Sequence, residues 1–479
     1  MQSIKDAIRN LFSHYSKEPV VDIEALPQSG SDRLYFRIYT ADKTFIATSN
    51  VNVKENGTFI YFSRLFRDCG CPVPEVYAVN DEQTIYIQED LGDISLLQEL
   101  EKHGQNEYTF SLFQKSLKAL AHLQINGDKD LDYSQCITSR EFGKQAIISD
   151  LLYFKYYFLD TLKIPYDKEK LINDFDALST YLSHVDHVYF MFRDFQSRNV
   201  MIKNDEVYFI DFQGGMKGAL QYDAASLLWQ AKAELSTEWK RDLLHYYMDC
   251  VSNILQKPVD ANRFEGQYNG YVLIRLLQVL GAYGFRGLFE RKAHFLTSIP
   301  LALNNLKWFL DNSSVGIVLP EFERLLSVIT TTEIIERFEN IKANDETPLL
   351  ITINSFSYKK GIPGDASDNG GGYVFDMRGI LNPGRVEEYK KLSGQDKAVK
   401  DFLEQQTDMP VFLNSVFNMI DISVSDYIRR GFASLVINFG CTGGQHRSVY
   451  AAEALARHLK NKFRVKTRLT HTNQQNWVR

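Results

Sequence analysis

Residues 192–215 read FRDFQSRNVMIKNDEVYFIDFQGG, and they are the strongest single signal in the sequence. It contains two short apolar runs, NVMI and VYFI, with the polar sequence KNDE between them, a pattern that predicts a small β-hairpin. Asp194 lies in the loop before the hairpin, Asn199 stands where it begins, and Asp211 follows its second strand. The hairpin is therefore expected to bring two carboxylates and one amide together at a single site.

This set of side chains suits phosphoryl transfer. The reaction needs a carboxylate that orients and deprotonates the attacking hydroxyl, and oxygen ligands for the magnesium ion that neutralises the β- and γ-phosphates. We predict that Asp194 is the base, and that Asn199 and Asp211 are the Mg2+ ligands of an ATP-dependent kinase. Each residue alone would be explained as a solvated turn or cap residue, but their joint spacing favours the kinase.

Strand-like and helix-like segments are unevenly distributed along the chain. Residues 20–95 contain strand-length runs such as LYFRIYT and TIYIQED, whereas residues 105–330 are mostly helical. After a polar helical stretch, LLITINSF, GYVFDM and ASLVINFG alternate with helical segments, which is typical of an α/β layer. The predicted fold is an α+β protein-kinase-like bilobal domain followed by a smaller α/β domain. The predicted boundaries are 1–95 for the β-rich lobe, 96–330 for the helical lobe, 331–347 for a linker and 348–479 for the α/β domain.

The composition is that of a globular protein, with 44% hydrophobic and 24% charged residues among 479. No apolar run approaches the roughly eighteen residues that span a bilayer, and the opening MQSIKDAIRNLFSHY lacks the apolar stretch of a secretory signal. Five cysteines form neither a disulfide framework nor a paired CxxC pattern. We therefore expect a cytoplasmic protein without a membrane segment or a structural zinc ion.

The charge is divided unevenly between the two regions. Residues 348–479 contain 18 Lys and Arg against 12 Asp and Glu, whereas the remainder contains 36 against 48. An acidic body joined to a basic tail domain predicts two units with different partners. RNA is one candidate partner of the tail domain through KNKFRVKTR at 460–468, which is otherwise a solvated helix end and edge strand.

Residues 192–228 resemble the catalytic loop, the metal-binding DFQ segment and the YD-x-AS-L stretch of the aminoglycoside phosphotransferase and choline kinase superfamily. SGSDRLYFR at 29–37 and EDLGD at 89–93 are similar to the AmgK-type anomeric kinases of N-acetylmuramate and N-acetylglucosamine. The resemblance implies that EDLGD meets the adenine and that Asp223 braces the helical lobe. It also implies nucleotide contacts from Ser29, Gly30, Ser31, Arg33, Glu89 and Leu91, and substrate contacts from Asp150 and Arg193.

The sequence departs from that superfamily at two places. The usual His two residues before the base is Phe192 here. The strand FIATS at 45–49 lacks the Lys that many kinases direct at the phosphates, so Arg33 or Arg37 is predicted to supply the charge. The alternative for Arg33 is a solvated loop residue. Asp150 has two interpretations, a ligand for sugar hydroxyls or an exposed acid on its helix.

A second motif, GCTGGQHRS at 440–448, falls between a predicted strand and a predicted helix. Glycines in such a turn leave successive N–H groups free to face an anion, and the helix N-terminus adds a favourable dipole. His446 and Arg447 would add donors at the same point. The motif predicts a phosphate cradle. Cys441 also suggests a phosphatase nucleophile, but no partner acid is evident, so this interpretation is the weaker one.

The motif closely resembles the C-terminal domain of the RapZ family, together with SFSYKKGIP, VFDMRGILNPG and LSGQD. In that family the domain binds glucosamine-6-phosphate and can bind RNA, and the likeness favours self-association. Gly384 stands where the family often has a His. The ligand pocket implied by the resemblance is lined by Asp376, Cys441, Thr442, Gly443, His446 and Arg447.

The two resemblances converge on amino-sugar metabolism. The preferred hypothesis is an ATP- and Mg2+-dependent kinase for an N-acetylated amino sugar, acting at the anomeric hydroxyl in cell-wall recycling, with a C-terminal sensor of an amino-sugar phosphate. One alternative is a regulatory metabolite- and RNA-binding protein with a vestigial kinase lobe. An antibiotic-modifying phosphotransferase is a third hypothesis, which the fused C-terminal domain disfavours.

Overall fold

In a computed structural model of the chain, the residues described are 2–26, 33–290, 293–339, 341–365 and 371–478. Contacts divide the chain into two compact units. The first comprises Met1–Phe285 and Leu301–Ile334, and the second comprises Arg286–Pro300 and Ile335–Arg479.

The first unit begins with a β-rich lobe. Its elements are α1 (Gln2–Tyr15), β1 (Asp22–Ala25), β2 (Leu34–Tyr39), β3 (Thr44–Ser49), α2 (Val53–Asp68), β4 (Val76–Val79) and β5 (Ile85–Glu89). The strands form one antiparallel sheet in the order β1-β2-β3-β5-β4. Their aromatic and β-branched residues favour extended backbone, and α1 buries Ile8 and Phe12 against the apolar residues of the sheet.

The larger lobe of the first unit is helical. Its elements are α3 (Leu96–His103), α4 (Glu107–Asn126), α5 (Lys144–Tyr157), α6 (Lys168–Leu182), β6 (Val188–Met191), β7 (Val200–Lys203), β8 (Glu206–Phe209), β9 (Met216–Ala219), α7 (Leu220–Leu228), α8 (Thr237–Leu255) and α9 (Ala261–Tyr283). Both α3 and α4 begin with a capping box, at Ser95 and Asn106, which satisfies N–H groups that the helix itself leaves unpaired. Strands β7 and β8 form the hairpin predicted from residues 192–215.

Within the described residues one helix, Ala261–Phe289, has the length and apolar character to cross a membrane. It consists of α9 and a π-helical continuation, Gly284–Phe289. Its apolar window is 56% buried, and Val272, Ile274 and Leu280 have no exposed surface. Burial of this kind explains the apolar composition as that of a core helix.

The chain continues through α10 (Ala293–Leu296), α11 (Ile299–Asn312), α12 (Pro320–Ile329) and α13 (Thr332–Glu336). The polar stretch that follows Thr330 was predicted to be helical, but among its described residues only α13 is helical. At its end, the Asn344 side chain accepts from the Glu346 amide at 3.1 Å and bonds Thr347 Oγ1 at 2.9 Å. Such local side-chain bonds offer the backbone an alternative to the helix.

The second unit contains a parallel α/β layer. Its elements are β10 (Leu350–Ser357), β11 (Tyr373–Asp376), α14 (Lys397–Gln405), α15 (Met409–Arg430), β12 (Ser434–Cys441), α16 (Arg447–Phe463) and β13 (Lys466–His471). The strands pair in the order β11-β12-β10-β13. The segment EEYKKL at 387–392 forms only a 3-10 turn, Glu387–Tyr389. Because all pairs are parallel, the carboxyl ends of the strands meet at one edge, where open α/β sheets usually bind ligands.

Candidate functional sites

The hairpin of β7 and β8 brings the three predicted catalytic side chains to one place. Its register pairs Val200 with Phe209, and the Ile210 amide donates to the Asn199 carbonyl at 3.1 Å. Asn199 Nδ2 donates to the Asp194 carbonyl at 2.9 Å, which leaves the amide oxygen of Asn199 as an acceptor. Asp211, one residue beyond Ile210, has a positive φ of 69°, a strained conformation of the kind found at functional sites.

A buried carboxylate fixes the loop that carries Asp194. Asp223, at the start of α7, accepts from the amides of Phe192 at 2.7 Å and Arg193 at 2.9 Å, and from Gln124 Nε2 at 2.8 Å. Burial raises the pKa of Asp223 to about 7, against the lowering effect of these three donors. The bracing role implied for Asp223 therefore has a geometric basis: it ties α7 and α4 to the residues beside Asp194.

Phe192, which replaces the usual His, lies in an aromatic cluster. Its ring contacts Phe195, Phe209 and Phe212 edge to face, with centroid distances of 5.2, 6.1 and 6.2 Å. Phe212 stacks on Phe59 of α2 at 4.9 Å. Edge-to-face and offset pairs of this kind add stability beyond their buried area. Packing among these rings thus positions the loop where a hydrogen-bonding His is absent.

Arg33 places a positive charge beside Asp211, one of the predicted magnesium ligands. Its guanidinium lies 3.2 Å from Asp211 Oδ1 and 2.8 Å from Glu55 Oε1 of α2. Burial lowers the pKa of Arg33, but Tyr35, Asp211 and Glu55 raise it by more, so the residue stays a cation. Of the two arginines considered from the sequence, Arg33 is therefore the one that reaches the predicted magnesium ligand.

Arg37 has a different place in the lobe. It forms a bidentate pair with Asp90, at 2.7 and 3.2 Å, and a second pair with Asp93, at 2.7 and 2.9 Å. It therefore braces the EDLGD segment. Ser29, Gly30 and Ser31, predicted to contact the nucleotide, lie outside the described residues.

The EDLGD segment is also held from the other lobe of the same unit. Lys203 of β7 donates to Glu89 Oε1 at 3.1 Å and to the Asp90 carbonyl at 2.9 Å. Leu91 is buried, and the Ile202 amide donates to the Ile94 carbonyl at 2.8 Å. Glu89 and Leu91, predicted to contact the nucleotide, thus lie in a segment that is hydrogen-bonded to strand β7 of the hairpin.

Asp150, which the sequence left as either a sugar ligand or an exposed acid, is buried. Arg193 NH2 donates to Asp150 Oδ1 at 2.6 Å, and Arg193 NH1 donates to the Tyr222 hydroxyl at 2.9 Å. The other carboxylate oxygen of Asp150 is buried without a partner. The interpretation as a solvated helix acid was wrong, because α5 turns this side chain into the interior next to the catalytic loop.

The loop 440–448 connects β12 to α16 at the carboxyl edge of the second sheet. Gly444 has a φ of +64°, where an L side chain would be strained, and Thr442 and Gly443 are exposed. Among the described residues, the amides of Thr442 and Gly443 have no hydrogen-bond acceptor. The sulfur of Cys441 is buried, accepting from the Gly444 amide at 3.2 Å and lying 3.1 Å from Ser448 Oγ. Cys441 therefore shapes the loop, and the phosphatase interpretation gains no support.

Arg447 lies beneath this loop. Its NH1 donates to the carbonyls of Arg378 at 3.1 Å and Ile380 at 2.6 Å, and its Nε is buried without a partner. Burial lowers the pKa of Arg447. Asp376, predicted to line the pocket, is paired with Arg378 Nε and NH2 at 2.6–3.0 Å, and this pairing lowers its pKa.

His446 points away from the exposed part of the loop. Its Nε2 lies 2.9 Å from the Tyr389 carbonyl, and burial lowers its pKa, which favours the neutral imidazole. A Cβ at Gly384 would lie 3.0 Å from the His446 ring, so the glycine at this position leaves room for His446. The departure from the family pattern at Gly384 is therefore coupled to the place of His446.

Comparison with known families finds a family model for each of the two regions. Residues 22–253 match the model of the phosphotransferase enzyme family, and residues 349–475 match that of the RapZ C-terminal domain. The chain carries a phosphotransferase-family domain and a RapZ C-terminal domain.

The relatives found by sequence align with only part of this chain and with part of their own length. A nucleotide-binding protein from Endomicrobium trichonymphae is 38% identical over 146 residues, which cover 30% of this chain and 49% of that protein. One from Glaesserella parasuis is 35% identical over 188 residues, covering 38% and 62%. This chain thus spans about half the length of the curated relatives it matches. Among solved structures, a choline kinase from Cryptosporidium parvum aligns with 67% of this chain and 99% of its own, at 14% identity and a TM-score of 0.47.

The phosphotransferase domain has donors that fit a magnesium ion. Asn199 offers an amide oxygen and Asp211 a carboxylate, and magnesium in nucleotide sites takes one or two carboxylates together with phosphates and water. Among the described residues, no group of three or more His, Cys, Asp or Glu forms a dedicated metal cage. The donor set therefore suits an ion that arrives with the nucleotide.

Two contributors to this domain were not found from its sequence. Glu55 of α2 pairs with Arg33, and Arg275 of α9 lies 3.5 Å from Asp194. Glu55 follows Asn52 in an ordinary helix start, so its sequence carries no signal of this role. The sequence did contain a signal for Arg275, because this residue is the single charge within the apolar run YVLIRLLQVL.

Replacing Arg33 by Met is expected to raise the KM for ATP about tenfold or more. The change removes a cation from this site and leaves Asp211 and Glu55 facing each other without it, and charge-assisted contacts of this kind contribute roughly 1.5–3 kcal/mol. Steady-state kinetics with varied ATP measure the effect. Arg64→Met, an exposed arginine on the same helix as Glu55, is the control. An unchanged KM in folded Arg33→Met protein would contradict the assignment.

Proposed function

We propose that the phosphotransferase domain is an ATP- and Mg2+-dependent kinase that phosphorylates a hydroxyl of a small molecule. The main support for the proposal is that Asp194, Asn199 and Asp211 lie together around one hairpin. Arg33 forms an ion pair with Asp211 at the same place. A carboxylate, two oxygen ligands and a guanidinium are the groups that phosphoryl transfer requires at one point.

Each side chain has a distinct part in this reaction. Asp194, with 46% of its side chain exposed, accepts the proton of the acceptor hydroxyl. Asn199 and Asp211 would hold magnesium, which neutralises phosphate charge when bound. Arg33 stays fixed by Glu55 and directs its remaining charge toward the phosphates. The EDLGD segment, braced by Arg37, offers backbone groups to the adenine.

For the acceptor we propose an N-acetylated amino sugar, phosphorylated at its anomeric hydroxyl in cell-wall recycling. The support is the resemblance of residues 29–37 and 89–93 to the anomeric kinases, together with the buried Asp150–Arg193 pair beside Asp194. The pair holds the side chain of Arg193, whose backbone has a strained positive φ of 79°, next in sequence to Asp194.

For the RapZ C-terminal domain we propose binding of an amino-sugar phosphate. The unpaired amides of Thr442 and Gly443 would receive the phosphate, and the N-terminus of α16 together with Arg447 would add positive potential. Both modules would then handle related metabolites, with the second acting as a sensor for the first.

A second candidate function is a regulatory protein that binds a metabolite and RNA through its C-terminal domain. It is favoured by β13, an edge strand on which Lys466 and Arg468 are exposed, with Arg464 exposed just before it. Phosphate contacts by such residues would make binding fall steeply with salt. Under this hypothesis the kinase lobe has no turnover.

Phosphate transfer from ATP with magnesium, measured on N-acetylmuramate, N-acetylglucosamine, glucosamine, choline and kanamycin, separates the two candidates. Turnover of an N-acetyl sugar supports the kinase. Turnover of only choline or kanamycin overturns the proposed acceptor but keeps the kinase. No turnover by folded protein, combined with salt-sensitive RNA binding, moves the conclusion to the regulatory protein.

Replacing Gly443 by Val is expected to weaken glucosamine-6-phosphate binding about tenfold or more while leaving the fold intact. A Cβ at Gly443 meets no atom within 4 Å, so the new side chain enters the space in front of the loop amides. Titration calorimetry with glucosamine-6-phosphate, and with glucosamine as the comparison that lacks the phosphate, measures the effect. Gly364→Val, another open glycine of this unit, is the control. Equal affinity in Gly443→Val and wild type would show that the ligand binds elsewhere.

A further inference from the structure

Helix α9 places one guanidinium against the proposed catalytic base. Arg275 NH2 lies 3.5 Å from Asp194 Oδ1, and only 3% of the Arg275 side chain is exposed, compared with 46% of the Asp194 side chain. At this distance the two groups form an ion pair without a hydrogen bond. Arg275 therefore lies on the buried side of Asp194, whose carboxylate is partly exposed to solvent.

The donors of Arg275 are incompletely used. Of its five N–H groups, NH1 donates to Gln278 Oε1 at 2.7 Å, and Nε is buried without a partner. Burial lowers the pKa of Arg275, but Tyr222 and Asp194 raise it by more, so the guanidinium stays charged. Arg275 also hydrogen-bonds Tyr222, whose ring centroid lies 5.9 Å from its Cζ. A buried guanidinium whose Nε still has no partner carries a desolvation cost. The arrangement is explained if a further oxygen binds there during the reaction.

The charges around this guanidinium restrict what that oxygen can belong to. Arg193 faces Asp150 and the Tyr222 hydroxyl, and Arg275 faces Asp194. Asp150 and Asp194 therefore each already pair with an arginine, and the second carboxylate oxygen of Asp150 is buried. An ammonium group brought to this wall would meet two guanidinium ions, and the neighbouring carboxylates of Asp150 and Asp194 each already pair with one of them. A hydroxyl, carbonyl or carboxylate oxygen would meet unused donors.

We propose that Arg275 binds an oxygen of the acceptor next to the attacked hydroxyl and thereby selects neutral or anionic polyols against ammonium-bearing acceptors. The inference rests on the proposed kinase function. In the reaction, the hydroxyl proton passes to Asp194 as the hydroxyl oxygen bonds to the γ-phosphorus and the bond to the β-phosphate bridging oxygen breaks, releasing ADP. Asp194 becomes neutral in this step and no longer offsets the positive charge of Arg275. The guanidinium therefore attracts the acceptor oxygen more strongly in the transition state than in the ground state.

The test compares N-acetylglucosamine with glucosamine, which share a ring and differ in a neutral amide against an ammonium. For wild type, kcat/KM is expected to favour the acetylated sugar, and the preference is expected to shrink as rising pH deprotonates glucosamine. In Arg275→Met the preference at neutral pH should fall about tenfold or more, with an unchanged KM for ATP and with little remaining pH dependence. Arg263→Met, an exposed arginine on the same helix paired with Asp186, is the matched control.

The outcomes separate this inference from the proposed function. No turnover of either sugar by wild type overturns the proposed acceptor and this inference with it, while turnover of choline or kanamycin would still keep the kinase. Turnover by wild type with the same preference and pH dependence in folded Arg275→Met overturns the inference alone. If Arg275→Met does not fold, Arg275→Lys decides, because it keeps the charge and loses the planar fork. A roughly tenfold lower kcat/KM for N-acetylglucosamine, with the preference against glucosamine retained, supports the proposal, and wild-type kinetics overturn it.

Discussion

Replacing Asp194 by Asn is expected to lower kcat for phosphate transfer by about 10²- to 10⁴-fold, the usual contribution of a positioned general base. Asn has the same shape, and the main-chain carbonyl of residue 194 still accepts from Asn199, so the loop should keep its conformation. The amide cannot take the hydroxyl proton. The loss should therefore appear in kcat, with the KM for ATP within about twofold of wild type, measured by coupled ADP release under saturating acceptor.

The comparison needs a variant of the same chemistry elsewhere in the first unit. Asp81→Asn suits this purpose, because Asp81 is exposed in the turn between β4 and β5. It should retain wild-type kcat. Equal activity of Asp194→Asn and Asp81→Asn would rule out Asp194 as the base, whereas equal loss in both would point to a general sensitivity of the protein to this exchange.

The catalytic hairpin could be predicted because its information is local. Two apolar runs around KNDE specify β7 and β8, and the polar residues at its ends then meet by pairing alone. The strands β1 and β4 were not predicted. Each has only four residues, too few for alternation to distinguish a strand from a loop, and their pairing partners β2 and β5 stabilise them.

The partners of charged residues could not be predicted, because they are chosen by packing between distant segments. Arg33 and Arg37 stand in the same strand region, yet one reaches Asp211 and the other Asp90, since four residues along β2 shift the side chain toward a different part of the lobe. Asp150 was ambiguous for a similar reason. A helix acid is exposed or buried according to which face the neighbouring helices cover, and here α5 packs against α9.

The loop at 440–448 was also predictable only in part. Its glycines and its place between a strand and a helix were readable, and the loop has exposed amides at Thr442 and Gly443. The direction of its polar side chains was not readable. Cys441 turns into the loop and His446 turns toward Tyr389 because β12 and α16 bury both sides of the turn. Residue identity predicted a binding loop, while side-chain orientation depended on the surrounding sheet and helices.

Replacing Asp223 by Asn is expected to lower the free energy of unfolding by about 2–4 kcal/mol and kcat by roughly 10²-fold. The carboxyl group accepts three hydrogen bonds in a fully buried place, from two loop amides and Gln124. Asn keeps one oxygen and directs an NH2 group at donors, so at least one buried N–H loses its acceptor. The loop that carries Asp194 would then shift, which explains why a residue outside the reacting atoms should affect turnover.

Urea unfolding and steady-state kinetics measure the two effects together. Asp249→Asn, at an exposed position on α8, should change the free energy of unfolding by less than about 0.5 kcal/mol and leave kcat unchanged. A second variant, Gln124→Met, removes only one of the three donors and should lie between wild type and Asp223→Asn in stability. Wild-type stability and turnover in Asp223→Asn would mean that the other contacts of the loop hold it without Asp223, namely the aromatic packing of Phe192, the Asp150 pair of Arg193 and the bond from Asn199 to the Asp194 carbonyl.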